Sequence, residues 1–300
     1  MIAIIRKAEK EIAFMLDTGL NKSSAALEFR FITILLFLLF MNQSGVAQWH
    51  SLALPNPERR SLNSVFFTET NHGYVAGVGI ILKTNDGGQN WQTVFSQPND
   101  GSDGLFHFNE IFFIHPDTGF VVGQVVDRSQ AGIMLRSDDQ GQHWAPVALP
   151  ANSGLNDIFF VNSSLGLAVG NRGLIFKTMN GGKDWTMAPS GVDADLLHIF
   201  MFDSDTGYIA GRQDTFLKTV DGGRSWTLQP LINAWEVFFT SPLVGYVGFS
   251  DPAEVGFYKT TDGGSNWIYQ LIKTGPVIST IFFTSADTGY ISYTGESFEP

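Results

Sequence analysis

The sequence contains no cysteine. That absence removes disulfides, thiolate metal sites, a cysteine nucleophile and a lipid-bearing cysteine anchor. Basic residues are scarce as well: 18 Lys and Arg stand against 29 Asp and Glu, a formal net charge of −11. Nucleic acid demands a cationic surface, and so does anionic lipid, so neither is an expected partner. Long apolar runs are missing; the longest, 31–41, is about half the ~20 residues of a membrane helix. The six histidines are scattered rather than paired on one element, and no phosphate loop or nucleophile elbow occurs.

What is abundant is glycine (32) and phenylalanine (26), a mixture that suits short buried strands joined by tight turns. Near the N-terminus, Arg30 precedes the apolar run, and a polar, small-residue stretch ends in Gly45-Val46-Ala47. This is the layout of a secretory signal with cleavage after Ala47, a short anchor helix being the alternative. Residues 1–29 fit no signal grammar and read as an over-extended start. The expected organisation is an extension and signal over 1–47 and one exported domain over 48–300, with no membrane span left after processing.

Within that domain a phrase recurs. KTNDGGQNW (83–91) returns as RSDDQGQHW (136–144), KTMNGGKDW (177–185), KTVDGGRSW (218–226) and KTTDGGSNW (259–267). The closing tryptophans, Trp91, Trp144, Trp185, Trp226 and Trp267, are separated by 53, 41, 41 and 41 residues. Before each phrase come an aromatic segment such as SVFFT (64–68) or DIFFV (157–161), a turn, a segment such as GYVAG (73–77), and a third such as IILKT (80–84). The tryptophan then opens a fourth. Four short strands per ~40 residues is the pattern of a β-propeller blade, so the expected fold is all-β, a β-propeller of four-stranded blades. The segment 48–55, with Trp49 in the box-tryptophan position, reads as an orphan fourth strand that completes the last blade.

The phrase reads as a staple of the turn between third and fourth strands. In each copy a hydroxyl, a carboxylate or amide, a glycine and an indole recur at fixed spacing. The sets are Thr84, Asp86, Gly88 and Trp91; Ser137, Asp139, Gly141 and Trp144; Thr178, Asn180, Gly182 and Trp185; Thr219, Asp221, Gly223 and Trp226; Thr260, Asp262, Gly264 and Trp267. Side-chain oxygens can satisfy the loose N–H groups of a tight turn, and glycine supplies positive φ. Asn180 replaces the carboxylate once, so charge is not required there and a metal reading weakens. Gln140 stands where the others have a first glycine, so only Gly141 and its equivalents look obligatory.

These residues carry a resemblance. The S/T-x-D-x-G-x-x-W core resembles the Asp-box, or bacterial neuraminidase repeat. The longer GYVAGVGIILKTNDGGQNW resembles the propellers of the photosystem II assembly and stability factor family, whose relatives extend to non-photosynthetic bacteria; similar boxes occur in sortilin-type receptors and some glycosidases. The resemblance covers about residues 48–300 and is specific for fold rather than activity. It implies a non-catalytic platform for a folding or assembling protein partner, with no cofactor and no metal; a photosynthetic role would need a phototrophic host. The family number is seven blades. Five copies carry the box here and a sixth begins at Thr280, leaving six blades with a stunted last or seven with the record cut short. The second is favoured, because YTGESFEP offers no third strand.

Enzymatic readings fare worse. Three Asp-Thr-Gly copies (117–119, 205–207, 287–289) occupy the same turn in different blades and so cannot form an aspartic-protease dyad. A sialidase-like glycosidase is the serious alternative, with a carbohydrate as its partner. It would need a tyrosine–carboxylate pair and three convergent arginines, for which only Arg128, Arg172 and Arg212 lie in suitable loops. What remains is a binding surface on loops such as 96–110 and 124–132, where the insertion falls. Phe106, Phe108, Asp127, Arg128, Arg172, Arg212 and Trp235 are the candidate contact residues of an expected monomer.

Overall fold

A computed structural model divides the chain into two compact units, Met1–Leu52 and Ala53–Pro300. It describes residues 54–55, 60–98, 104–126, 131–151, 153–231, 233–249, 254–274, 278–285 and 288–293, all in the second unit. The apolar run, the cleavage point and most of the expected orphan strand lie outside the described residues.

The described residues form five four-stranded antiparallel sheets and one two-stranded sheet, and contain no helix. The first blade holds β1 (Leu62–Phe67), β2 (Gly73–Gly77), β3 (Ile80–Thr84) and β4 (Gln92–Ser96). The second holds β5 (Leu105–His115), β6 (Thr118–Val126), β7 (Gly132–Ser137) and β8 (Ala145–Pro146). The third holds β9 (Leu155–Phe160), β10 (Gly166–Gly170), β11 (Ile175–Thr178) and β12 (Thr186–Ala188). In the fourth are β13 (Leu196–Met201), β14 (Gly207–Gly211), β15 (Thr215–Thr219) and β16 (Thr227–Leu228). The fifth has β17 (Ala234–Phe239), β18 (Gly245–Phe249), β19 (Glu254–Thr260) and β20 (Ile268–Thr274); β21 (Ile278–Ser285) pairs with β22 (Thr288–Tyr293). Strands pair in chain order within every sheet, and the first strand of each blade touches the first strand of the next. This is the β-propeller that the repeat implied.

The second strands of the first, third, fourth and fifth blades are buried throughout, as a sheet covered on both faces requires. Between the first and second blades, Tyr74, Ile81, Phe108, Ile111, Phe113, Val121 and Leu135 pack with Trp144 at their margin. The next three interfaces repeat that arrangement around Trp185, Trp226 and Trp267. The box indoles of the second to fifth blades thus seal the seam between their own blade and the preceding one: Trp185 meets Phe160 of its own blade and Phe120 of the blade before, both nearly edge-on. On the leading face of the first blade, Val65 is 60% exposed, whereas its equivalent Ile111 is fully buried.

One expectation needs correction. Much of the insertion that lengthens the first repeat interval is strand rather than loop, because β5 and β6 run on together from Phe108↔Gly123 to Leu105↔Val126. Phe108, expected on the recognition face, is therefore a fully buried core residue, set among Phe95 and Phe106. Phe106 itself is half-buried and packs against the same cluster. Aromatic residues at alternate strand positions follow the apolar side of the pleat inward.

Candidate functional site

The boxes are built from one set of bonds. In the first, the Thr84 hydroxyl donates to Asp86 Oδ1 at 2.8 Å and accepts the Gly88 N–H at 2.9 Å. Asp86 in turn accepts the Asn90 backbone N–H at 2.8 Å and its side-chain amide at 2.7 Å. The same hydroxyl-to-glycine bond measures 2.9 Å from Ser137, Thr178, Thr219 and Thr260. Trp91 and Trp144 Nε1 donate to Gly88 O and Gly141 O. The box also reaches back within its blade. The N–H groups of Gln140 and Gly222 donate to the carbonyls of Asp117 and Asp205, so the Asp-Thr-Gly turns are anchor points of the box.

The carboxylates are held low by this geometry. Asn266, through its side chain and backbone, and then Thr260 pull Asp262 down to about 2. At Asp139 burial pushes upward, but the bonds from His143 and Ser137 outweigh it and leave the group at about 2. Asn180 is compensated rather than merely tolerated. Its amide Nδ2 donates to Asp184 Oδ2 at 2.8 Å, so carboxylate and donor have exchanged places across the same turn. Each box retains one carboxylate bonded to its partner four residues away.

Gln140 adopts φ +61°, so this position is left-handed in all five copies although a side chain occupies it once. The glycine after it is bound by space as well: a Cβ on Gly141 would lie 2.6 Å from the Tyr74 ring, and one on Gly182 2.3 Å from Phe120 Cζ. Both clashes are with the preceding blade.

The first residue of the phrase proves to be an inter-blade clamp. Lys83, Arg136, Lys177 and Lys218 each donate to a box carbonyl of the following blade, namely Gln140 O (2.8 Å), Gly181 O (3.2 Å), Gly222 O (2.6 Å) and Gly263 O (2.9 Å). Tyr74 and Tyr208 hydroxyls share two of those carbonyls. Burial, then the charges of Asp117 and Asp139, push the Tyr74 phenol up to about 12; burial and Asp262 do the same for Tyr208. These tyrosines are committed donors, so they do not supply the nucleophile a sialidase would need. The repeated basic residue was visible in the sequence; its reach into the next blade was not.

A second set of contacts missed by sequence reading joins the first strands. Asn63, Asn109 and Asn156 side chains donate to Phe108 O, Leu155 O and Leu196 O of the following blades, at 2.7–2.8 Å. Beside them runs a polar track at equivalent positions: Ser64, Glu110, Asp157, His198 and Glu236. The readable signal was one polar residue preceding each apolar-aromatic triplet. Ser64 Oγ donates to Glu110 Oε1 at 2.7 Å. Asp157 accepts the Ile158 and Ile199 N–H groups, each at 2.7 Å. Burial raises both carboxyls well above the ordinary range, Glu110 further through the Asp157 charge, and burial lowers His198.

The opposite end of the sheets carries the candidate contact face. Asp195 there accepts the Arg172 backbone N–H at 3.0 Å and faces Arg212 Nε at 3.8 Å. The Arg212 guanidinium lies over the Trp235 ring, 5.6 Å from its centroid. Arg172 (φ +56°) and Arg212 are exposed and Trp235 is half-buried. Asp195 thus holds the Arg172 backbone and faces Arg212, which in turn covers Trp235, while Phe106 and Phe108 belong to another seam. Asp127 and Arg128 lie outside the described residues.

Among solved structures, YCF48 from Cyanidioschyzon merolae is 18% identical with a TM-score of 0.52, over 83% of this chain and 97% of that one. A GH74 xyloglucanase from Xanthomonas campestris is 15% identical with a TM-score of 0.60, over 83% of this chain but 45% of the enzyme. A GH74 enzyme from Niastella koreensis gives 17%, 0.56, 70% and 37% in the same order. A structure described as YCF48 bound to D1 peptide is 19% identical over 82% of this chain and 94% of that one, with a TM-score of 0.46. At these identities the likeness shows the fold, and the chain spans less than half of either GH74 enzyme. No curated protein matches the chain. The family model described as photosynthesis system II assembly factor YCF48 matches residues 41–152 and 142–296. With the box geometry and the blade order, that match over most of its length places the chain in the YCF48-type family of photosystem II assembly factors.

Proposed function

We propose that the chain is an exported, non-catalytic propeller that binds a polypeptide during that partner's folding or assembly, through the sheet end opposite the boxes. The observation that carries this is the family match across 41–296, since the family is described by an assembly role. The residues gathered around Asp195 have suitable chemistry. An exposed guanidinium can take a peptide carboxylate in paired hydrogen bonds, and an adjoining indole offers rigid apolar area. Export rests on the signal layout ending at Ala47.

The D1 peptide is the ligand of a relative, and a fluorescently labelled peptide of that kind is the first probe here. Arg212→Ala and Trp235→Ala should each weaken its binding by about tenfold in an anisotropy titration. Equal affinity in wild type and both variants would remove the site. Incubation with a fluorogenic sialoside and with xyloglucan separates the glycosidase alternative: turnover lost in Arg172→Ala would replace the binding reading with an enzymatic one.

A further inference from the structure

The polar track along the first strands has a role beyond packing. We propose that Ser64, Glu110, Asp157, His198 and Glu236 form a built proton-binding site, in which the Glu110–Asp157 pair retains a proton near neutral pH and the propeller gains stability as acidity rises through that range.

The geometry fixes where protons can sit. Val237 N–H donates to His198 Nδ1 at 3.4 Å, so Nδ1 is an acceptor and the neutral ring carries its hydrogen on Nε2. Nε2 lies 3.7 Å from Asp157 Oδ2 and 4.0 Å from Glu236 Oε1. Charging the imidazole would put a hydrogen on Nδ1 and break the bond from Val237, which joins the fourth and fifth blades. The histidine therefore resists protonation, and any proton the track retains falls to its carboxyls. Ser64 Oγ accepts Ile111 N–H at 3.2 Å while donating to Glu110, so its hydroxyl hydrogen is committed to that carboxyl. Asp157, with both oxygens on backbone N–H groups, is 6% exposed.

Among the described residues, the first and second strands bring no lysine or arginine to the pair. The titratable residues on the surrounding first strands are His107 and His115 on β5, and His198 and Glu236 on β13 and β17; β1 has none, and β21 has none in its sequence. His107 is turned to Asn109 Oδ1, and His115 sits at the box end beside Asp117. The second strands behind the track contribute only Tyr74, Tyr208 and Tyr246, at the box end. Two neighbouring carboxyls withdrawn from water cannot both ionise cheaply. The 30% exposure of the His198 side chain leaves an edge through which protons exchange.

The sign follows. A carboxyl whose folded pKa is raised adds stability fully present below its unfolded pKa and lost as pH rises towards the folded value. The lowered His198 acts oppositely, but only as pH falls below its ordinary range. The largest slope therefore lies between slight acidity and mild alkalinity.

The test is equilibrium urea unfolding of the full chain from about pH 6 to about pH 9. From slight acidity up to the raised carboxyl values, about 7 to 8, one retained proton makes the unfolding constant rise about tenfold per pH unit, and above them the profile levels off. Glu110→Gln, which keeps an acceptor for Ser64, should flatten the profile and abolish proton release on unfolding at neutral pH in unbuffered solution. A flat wild-type profile, or a Glu110→Gln slope equal to the wild type, overturns the proposal. Should Glu110→Gln fail to fold, Ser64→Ala serves. Removing the hydroxyl that favours the ionised Glu110 should move the protonated-carboxyl infrared band's titration to higher pH. A band that is absent or does not move would likewise overturn it.

Discussion

The two ends of a blade differ in how their turns are held. At the box end the hydroxyl-to-glycine bond is 2.9 Å in all five copies, and the connection closes on itself. At the other end the link between second and third strands spans two residues in the first blade (78–79), four in the third (171–174) and three in the fourth (212–214). Left-handed non-glycine residues cluster there, at Arg172, Gln213 and Asp214. A turn that supplies its own hydrogen-bond partners fixes the blade, so the opposite turn is free to vary in length and charge. Variation at a rigid scaffold's loops is where recognition tends to reside.

The sharpest way to break the comparison is to fill a box. Gly182→Ala meets both the Phe120 ring and a left-handed backbone, and should cost about 3–5 kcal/mol in urea unfolding. Gly88→Ala meets only Trp91 at 3.6 Å and should cost about 1–2 kcal/mol, the backbone share alone. Equal losses would show that the preceding blade is irrelevant to the box. Removing a clamp comes next: Lys177→Met leaves Gly222 O without its cation and should lower stability by about 2 kcal/mol. The carboxylate exchange is subtler. Asn180→Asp sets two carboxylates against each other, and adding Asp184→Asn should recover the loss, with a coupling of about 1 kcal/mol in a double-mutant cycle. Additive losses would mean that the two positions do not interact. Smallest is Arg212→Ala, which should change stability by less than about 0.5 kcal/mol. A large change there would make the loop end structural too.

Period-two patterning and the forty-residue repeat were enough to read the fold. GYVAG and IILKT coincide with β2 and β3 because their flanking turns are marked by glycine and by the box. The fourth strand that Trp144 was expected to open is only Ala145–Pro146, since Pro146 offers no N–H and an outer strand has one neighbour. Phe108 was misplaced because an insertion that extends a hairpin looks, in sequence, like one that extends a loop. The contacts that the clamps and the polar track make between blades were hidden for a different reason. Each joins residues some forty or more positions apart, and only stacking brings equivalent sites of neighbouring repeats together. Arg172, Arg212 and Trp235 could be nominated by position in the repeat, but Asp195, the carboxylate that bonds the Arg172 backbone and faces Arg212, could not.

The clamp has a direction. Its cation always precedes its acceptor, by 57 residues across the insertion and by 45 elsewhere. On a ribosome, each new hairpin therefore emerges to meet an ammonium or guanidinium already displayed by the material before it. The molecule is laid down like courses of brick, every row keyed to the one beneath.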